Sequence, residues 1–162
     1  MKLTEAKREF ISRWGTLGSA WNVSRAMGEI HGFMLITDSP VSTDEVMAAL
    51  KLSRGTVNSN MRELMDWGLV IKKRVPGDRR EYFVAEKDFW KVAALVMAER
   101  RRKELDPLIK LTYELSVEGK DSETKAFIDM IKQIRTVAEQ AEKTAEIGIK
   151  LGIFALLRKI FK

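Results

Sequence analysis

The chain has 162 residues and a mass of 18.5 kDa, room for one compact domain or a small domain with a helical appendage. Its 45% hydrophobic and 32% charged residues make an ordinary globular composition, and the absence of cysteine excludes a disulfide framework or a thiolate metal site. A net charge of +6 and a pI near 9.6 fit a polyanionic partner, either nucleic acid or an anionic membrane surface.

Residues 4–37 predict two helices broken near Gly15 and Gly18. Ser19 stands where an N-cap would open the second, and Val23, Met27, Ile30 and Met34 recur in it at three- and four-residue spacing. Asp38, Ser39 and Pro40 end that helix, because the residue before proline avoids the helical region. Ser42 and Thr43 ahead of Asp44 and Glu45 mark the next helix N-terminus, with Val46, Ala49 and Leu50 expected inward. Lys51 and Leu52 turn the chain. Ser53 then caps a second helix running to about Trp67, where Gly68 supplies a left-handed stop.

Leu69, Val70 and Ile71, the triplet Lys72, Lys73, Arg74, the turn Pro76, Gly77, Asp78 and the returning segment 81–84 predict a β-hairpin. Beyond it, a helix is expected from about Asp88 to Leu105, with Asp106 and Pro107 as cap and first residue of another that ends near Gly119. A long last helix starts at Asp121 or Ser122. Its stripe is Phe127, Ile131, Ile134, Ala138, Ala141, Ala145, Gly148, Gly152, Leu156 and Ile160. The expected architecture is mainly α with a small β-hairpin wing. Residues 1–40 are N-terminal helices that support the core or a dimer, 41–87 a winged helix-turn-helix, and 88–162 a helical dimerisation region.

The argument for a winged helix-turn-helix lies in the helical wheel from Ser53. Val57, Met61, Leu64 and Met65 cluster on the inward side, while Gly55, Thr56, Ser59, Arg62 and Glu63 lie opposite, with Arg54 and Asn58 on the flanks. A face that is small and polar at its N-terminal half suits a helix entering a major groove. Asn58 matches an adenine edge, and Arg62 or Arg54 matches a guanine edge or a phosphate. Arg79 and Arg80 at the hairpin tip would reach a minor groove or the backbone. The expected DNA-contacting set is Ser42, Thr43, Arg54, Gly55, Thr56, Asn58, Ser59, Arg62, Lys72, Lys73, Arg74, Arg79 and Arg80.

Taken singly, a polar helix face is a solvated face and an Arg-Arg turn a soluble turn. Between Lys51 and Tyr82, however, eight basic residues face four acidic ones, so +4 of the total +6 falls on this motif. That focus favours double-stranded DNA over a membrane. A winged helix that binds proteins without reading DNA is the alternative.

The wording of the stretch is also specific. TDSPVS from Thr37, LSRGTVNSN from Leu52, RELMDWGLV from Arg62 and VPGDRREYFVAEKDFW from Val75 resemble the GbsR branch of the MarR-type regulators, and residues 26–36 fit it too. The resemblance covers roughly the first hundred residues. It implies a dimeric, winged-helix transcriptional repressor and, more weakly, control of osmoprotectant or choline-related uptake. It also places Asp78 and Arg80 where such wings carry an aspartate and an arginine that brace the hairpin.

The small-residue stretch Ala138, Ala141, Ala145, Gly148, Gly152 fits a helix–helix seam, and a homodimer on a pseudo-palindromic operator is expected. Residues 147–161, apolar with Lys150, Arg158 and Lys159 and followed by Lys162, also fit a membrane surface. Four tryptophans raise an aromatic cage for a quaternary-ammonium effector, with Trp14, Trp21 and Trp90 as candidates and Phe33 or Tyr113 as additions. Plain core packing is the reading with precedence for these rings, and Trp67 is expected to pack at the end of the recognition helix. His31, the only histidine, has no cysteine or second histidine to complete a metal site. No phosphate loop, nucleophile elbow or zinc motif is present, so an enzyme, cofactor or metal is not expected. The polar start lacks the core of a signal peptide, and no apolar run reaches the roughly 18 residues that span a bilayer, so a cytoplasmic location is expected.

Overall fold

The computed structural model describes residues 1–20 and 23–150, with side chains described through residue 144. Trp21 and the side chains of Ala145, Gly148, Gly152, Leu156, Ile160 and the basic apolar segment around them lie outside the described residues. The chain forms two compact units, Met1–Val92 and Ala93–Lys162. Mainly helical with a small antiparallel sheet, it has the predicted fold class. Among the described residues, no helix is long and apolar enough to cross a membrane.

The first unit opens with α1 (Leu3–Ala20) and α2 (Arg25–Leu35). The expected break at Gly15 and Gly18 is absent, and α1 runs through both. Gly15 makes room for α2, since a Cβ on it would stand 2.5 Å from Cγ of Glu29 and 3.0 Å from the Arg25 carbonyl oxygen. A Cβ on Gly28 would stand 2.8 Å from the Gly15 Cα, and one on Gly32 would stand 2.9 Å from Cδ1 of Trp14. The N-cap of α2 is Ser24, whose hydroxyl accepts from the Met27 N–H, while the Ser19 hydroxyl donates to the Gly15 carbonyl inside α1. Met27, Ile30 and Met34 are buried on α2, as their spacing predicts, each worth roughly 1.5–3 kcal/mol relative to exposure.

The far end of α2 is closed from outside its own sequence. Lys87 Nζ donates to the carbonyls of Met34, Leu35 and Thr37 at 2.7, 2.9 and 2.6 Å. The Met34 carbonyl also accepts from the Ile36 and Thr37 N–H groups, and a cation at this end meets the negative end of the helix dipole.

After Pro40 come β1 (Val41–Ser42), α3 (Thr43–Leu50), α4 (Arg54–Asp66), β2 (Val70–Lys73) and β3 (Tyr82–Ala85). Ser42 and Glu45 form a full capping box on α3, Lys51 takes the left-handed turn at φ 56°, and Ser53 caps α4. Ala49 is exposed, contrary to expectation, since Val46 and Leu50 lie on one side of the helix and Ala49 is rotated off it. Val57, Met61 and Leu64 are buried, Met65 half-buried, and Trp67 ends α4 in the core. Gly68 follows at φ 73°. The hairpin is part of a three-stranded sheet ordered β1-β3-β2, in which Val41 pairs with Phe83 and Lys73 with Tyr82. A two-residue strand beside a proline carries too little pattern to be read in advance.

Helix α5 (Phe89–Glu114) is capped by Asp88, which accepts from the Trp90 and Lys91 N–H groups. It contains Pro107, so Asp106 and Pro107 start no new helix. Proline removes one helical hydrogen bond, but its flanks at 98–105 and 108–111 are strong helix formers, and the helix continues through it. In the second unit α6 (Ser122–Lys150) is capped by Asp121, which accepts from the Thr124 N–H. Arg135 of α6 donates to the hydroxyl and carbonyl of Thr112 and lies 4.0 Å over the Tyr113 ring. Tyr113 donates to Glu139 at 2.7 Å, and Arg101 pairs with Glu142. Ala138 of the predicted stripe is buried, Ile131 and Ile134 half-buried, and Phe127 and Ala141 exposed.

His31 sits at the crossing of α1 and α2. Trp14 Nε1–H donates to its Nδ1 at 3.3 Å, so the ring proton is on Nε2, which is buried without a hydrogen-bond partner among the described residues. Burial first, and the Lys87 charge second, push its pKa from the ordinary 6.5 to about 4.

Two outcomes are expected. Gly28→Ala should destabilise by roughly 1–3 kcal/mol, since its methyl meets backbone, whereas Gly55→Ala, open on the surface of α4, should be neutral or gain up to about 1 kcal/mol. Urea midpoints would show it, and equal effects would remove the close-approach argument. A neutral imidazole in the fold leaves the extra proton to the unfolded chain. Stability is therefore full above about pH 6.5 and falls as pH drops toward 4, by on the order of 3 kcal/mol for this group. Unfolding at pH 7 and pH 5 should show a smaller loss in His31→Gln than in wild type.

Candidate nucleic-acid interface

Helix α4 and the wing (β2, β3 and the turn between them) place the predicted residues as follows. Arg54, Gly55, Ser59 and Arg62 are exposed along α4, and Thr56 and Asn58 are half-buried. The Ser59 hydroxyl donates to the Thr56 carbonyl, and the Thr56 hydroxyl bonds that of Ser53. Thr43 reaches Asn58 Oδ1 at 3.5 Å, which leaves the Asn58 amide donors facing out of that contact. Ser42 departs from expectation. It is buried at 2% exposure, and its N–H and hydroxyl both donate to Glu45, holding that carboxyl below the usual range. Its chemistry is spent on capping α3 rather than on the surface.

The cations divide into two groups. Arg54 pairs with Asp44 at 2.5 Å, Lys72 with Glu81 at 2.6 Å and Arg80 with Asp78 at 2.6 Å. Arg62, Lys73, Arg74 and Arg79 are exposed and make no ion pair among the described residues. Their charge is uncompensated at contact range.

The wing is internally braced. Gly77 turns at φ 82°, and Asp78 accepts from the Arg80 N–H at 2.9 Å, from the Arg80 guanidinium and from the Tyr82 hydroxyl at 2.8 Å. Arg80 also donates to the Tyr82 oxygen at 2.6 Å. These bonds, led by that of the Arg80 side chain, hold the Asp78 carboxyl well below the usual carboxylate range. Arg80 therefore acts as a strut, and Arg79, likewise exposed, is the cation of the pair that makes no ion pair among the described residues. Tyr82 was missed in the sequence. Alternation on β3 marks it as the residue beside Glu81, but its hydroxyl finds Asp78 only once the turn is closed.

The aromatic candidates have other surroundings. Trp14, half-buried, stacks on Phe10 at 5.5 Å and meets Phe89 edge-on at 6.0 Å. Phe33 and Trp90 are half-buried, Tyr113 belongs to the second unit against Arg135, and Trp21 is outside the described residues. Among the described residues no group of three or more His, Asp or Glu is placed to hold a metal ion.

Comparisons with known proteins fall on the same segment. Residues 33–81 match the MarR family. The chain is 33% identical over 76 residues to the HTH-type transcriptional regulator MmpR5 of Mycobacterium tuberculosis, covering 46% of each chain. It is 32% identical over 71 residues to the HTH-type transcriptional repressor GbsR of Bacillus subtilis, covering 44% of this chain and 39% of that one. The chain thus spans less than half the length of the curated relatives it matches. A crystal structure of a transcriptional regulator has the same fold, with a TM-score of 0.66 at 21% identity over 93% of this chain and 99% of the other. The segment from residue 33 to residue 81, with its capped helix pair and braced wing, is thus similar to the MarR family and has a winged helix-turn-helix fold.

Proposed function

We propose that the chain is a sequence-specific DNA-binding transcription regulator, with α4 entering a major groove and the wing tip meeting backbone or an adjacent minor groove. The observation that carries it is the set of exposed, unpaired cations Arg62, Lys73, Arg74 and Arg79 around the polar face of α4. Such a surface attracts phosphate through counterion release, and the amide and guanidinium groups of Asn58 and Arg62 supply base-edge donors. Lys72 and Arg54 join the contact once their exposed ion pairs open.

Action as a homodimer is part of the proposal. Leu111, Met130 and Val137 of the second unit are 48%, 55% and 65% exposed, apolar surface that pairing of two copies would cover. Two-fold symmetry would match half-sites about one helical turn apart. Repression, and membership of the GbsR branch, rest on resemblance, with the Mycobacterium relative as similar as the Bacillus one. A quaternary-ammonium effector has no support from the surroundings of Trp14 or Tyr113.

The test is a salt titration on the fragment upstream of the protein's own gene and on competitor DNA. Wild type should prefer one fragment by about a thousandfold or more. Arg62→Ala should erase most of that preference. Arg79→Ala should weaken all binding and reduce the salt slope by about one. Equally weak binding to every duplex, unchanged in both variants, would instead leave a protein-binding winged helix.

A further inference from the structure

Three clefts border α4 and the wing, and Glu81 lines all of them. One places it with Asn58, Arg62 and Lys72, the second with Arg54, and the third with Arg79. Strand register explains the position. Lys72 and Phe83 are cross-strand partners, so Glu81, two residues before Phe83, is the diagonal neighbour of Lys72 on the same face. Phe83 on that face is buried and shares a cleft with Met61 and Met65 of α4. The Lys72–Glu81 pair, 2.6 Å long with both side chains more than half exposed, therefore stands beside Arg62 at the mouth between wing and helix.

We propose that Glu81 is a specificity-determining residue of this interface, one that selects against non-cognate DNA; this rests on the DNA-binding reading above. Non-cognate binding is driven by cations that neutralise phosphates and release counterions. Glu81 withdraws Lys72 from that pool and sets a fixed negative charge where a loosely seated backbone would run. An exposed ion pair is weak in water, so a duplex that also satisfies the base-reading donors opens it readily. A duplex with no such bonds has nothing to offset the repulsion. The carboxylate thus weakens wrong complexes more than right ones, the repulsive half of specificity.

Salt titrations of the full chain on the upstream fragment and on a random duplex of equal length test this. The proteins are wild type, Glu81→Gln, the double variant Lys72→Gln/Glu81→Gln, and Glu118→Gln. The last changes net charge equally from an exposed site in the second unit. Glu81→Gln should tighten the random duplex about tenfold and steepen its salt slope by about one, while the upstream fragment gains about threefold or less. The double variant should return the slope to that of wild type, and Glu118→Gln should leave the preference unchanged. If wild type binds neither duplex, the DNA-binding reading fails and the inference falls with it. If wild type is selective, three results overturn the inference alone. These are an unchanged random-duplex slope in Glu81→Gln, the same shift in Glu118→Gln, or a weakened upstream fragment, as a carboxylate reading cytosine would give.

Discussion

Where α1 crosses α2, backbone lies against backbone. Gly15, Gly28 and Gly32 leave no side chain between the helices, and Trp14 lies over the gap at Gly32. This close approach encloses α2, whose other sides pack on α3, α4 and β3. Met27, Ile30 and Met34 are the buried side of α2, and α4 packs on that helix. Met61 and Leu64 fix the rotation of α4 from the other side, so the polar residues of α4 have one direction left to face. Enclosure has a consequence for the polar backbone, since the last carbonyls of a packed helix need donors. Lys87, which follows the wing in the chain, supplies them and so ties the root of the wing to α2.

The same solution recurs in the second unit. Arg135 on α6 donates to the Thr112 carbonyl in the last turn of α5 and covers Tyr113, which bonds Glu139 in turn. In both places a long cationic side chain from a distant part of the sequence closes a helix end. A cation there gains twice, from the hydrogen bond and from the dipole.

At the interface, charge is sorted by role. Asp78 and Arg80 are consumed in the brace of the turn, with Tyr82 as its third member. Asp44 and Glu81 hold Arg54 and Lys72 in pairs that water weakens. Arg62, Lys73, Arg74 and Arg79 remain exposed. A surface counted by sequence as eight cations thus behaves as a smaller set of available charges, some fixed in position and some conditional.

The local signals in the sequence were strong where one short segment contains all its partners. Ser42 with Glu45, Ser53 ahead of α4, Gly68 after Trp67 and the Pro-Gly-Asp turn each complete their bonds within a few residues, and their elements were legible before folding. The four- and three-residue spacing of Val57, Met61 and Leu64 likewise set the inward side of α4. What tertiary structure decided depends on partners remote in the chain. Gly15, which looks like a helix break, lies inside a helix because another helix needs the space. Pro107 interrupts nothing because its neighbours hold the helix, and β1 exists only because Phe83 and Tyr82 lie beside it. The resemblance alone pointed to Arg80 rather than Arg79 as the strut, and the third member of the brace, the Tyr82 hydroxyl, waited on the fold, since only the closed turn brings it within hydrogen-bond reach of Asp78 and Arg80.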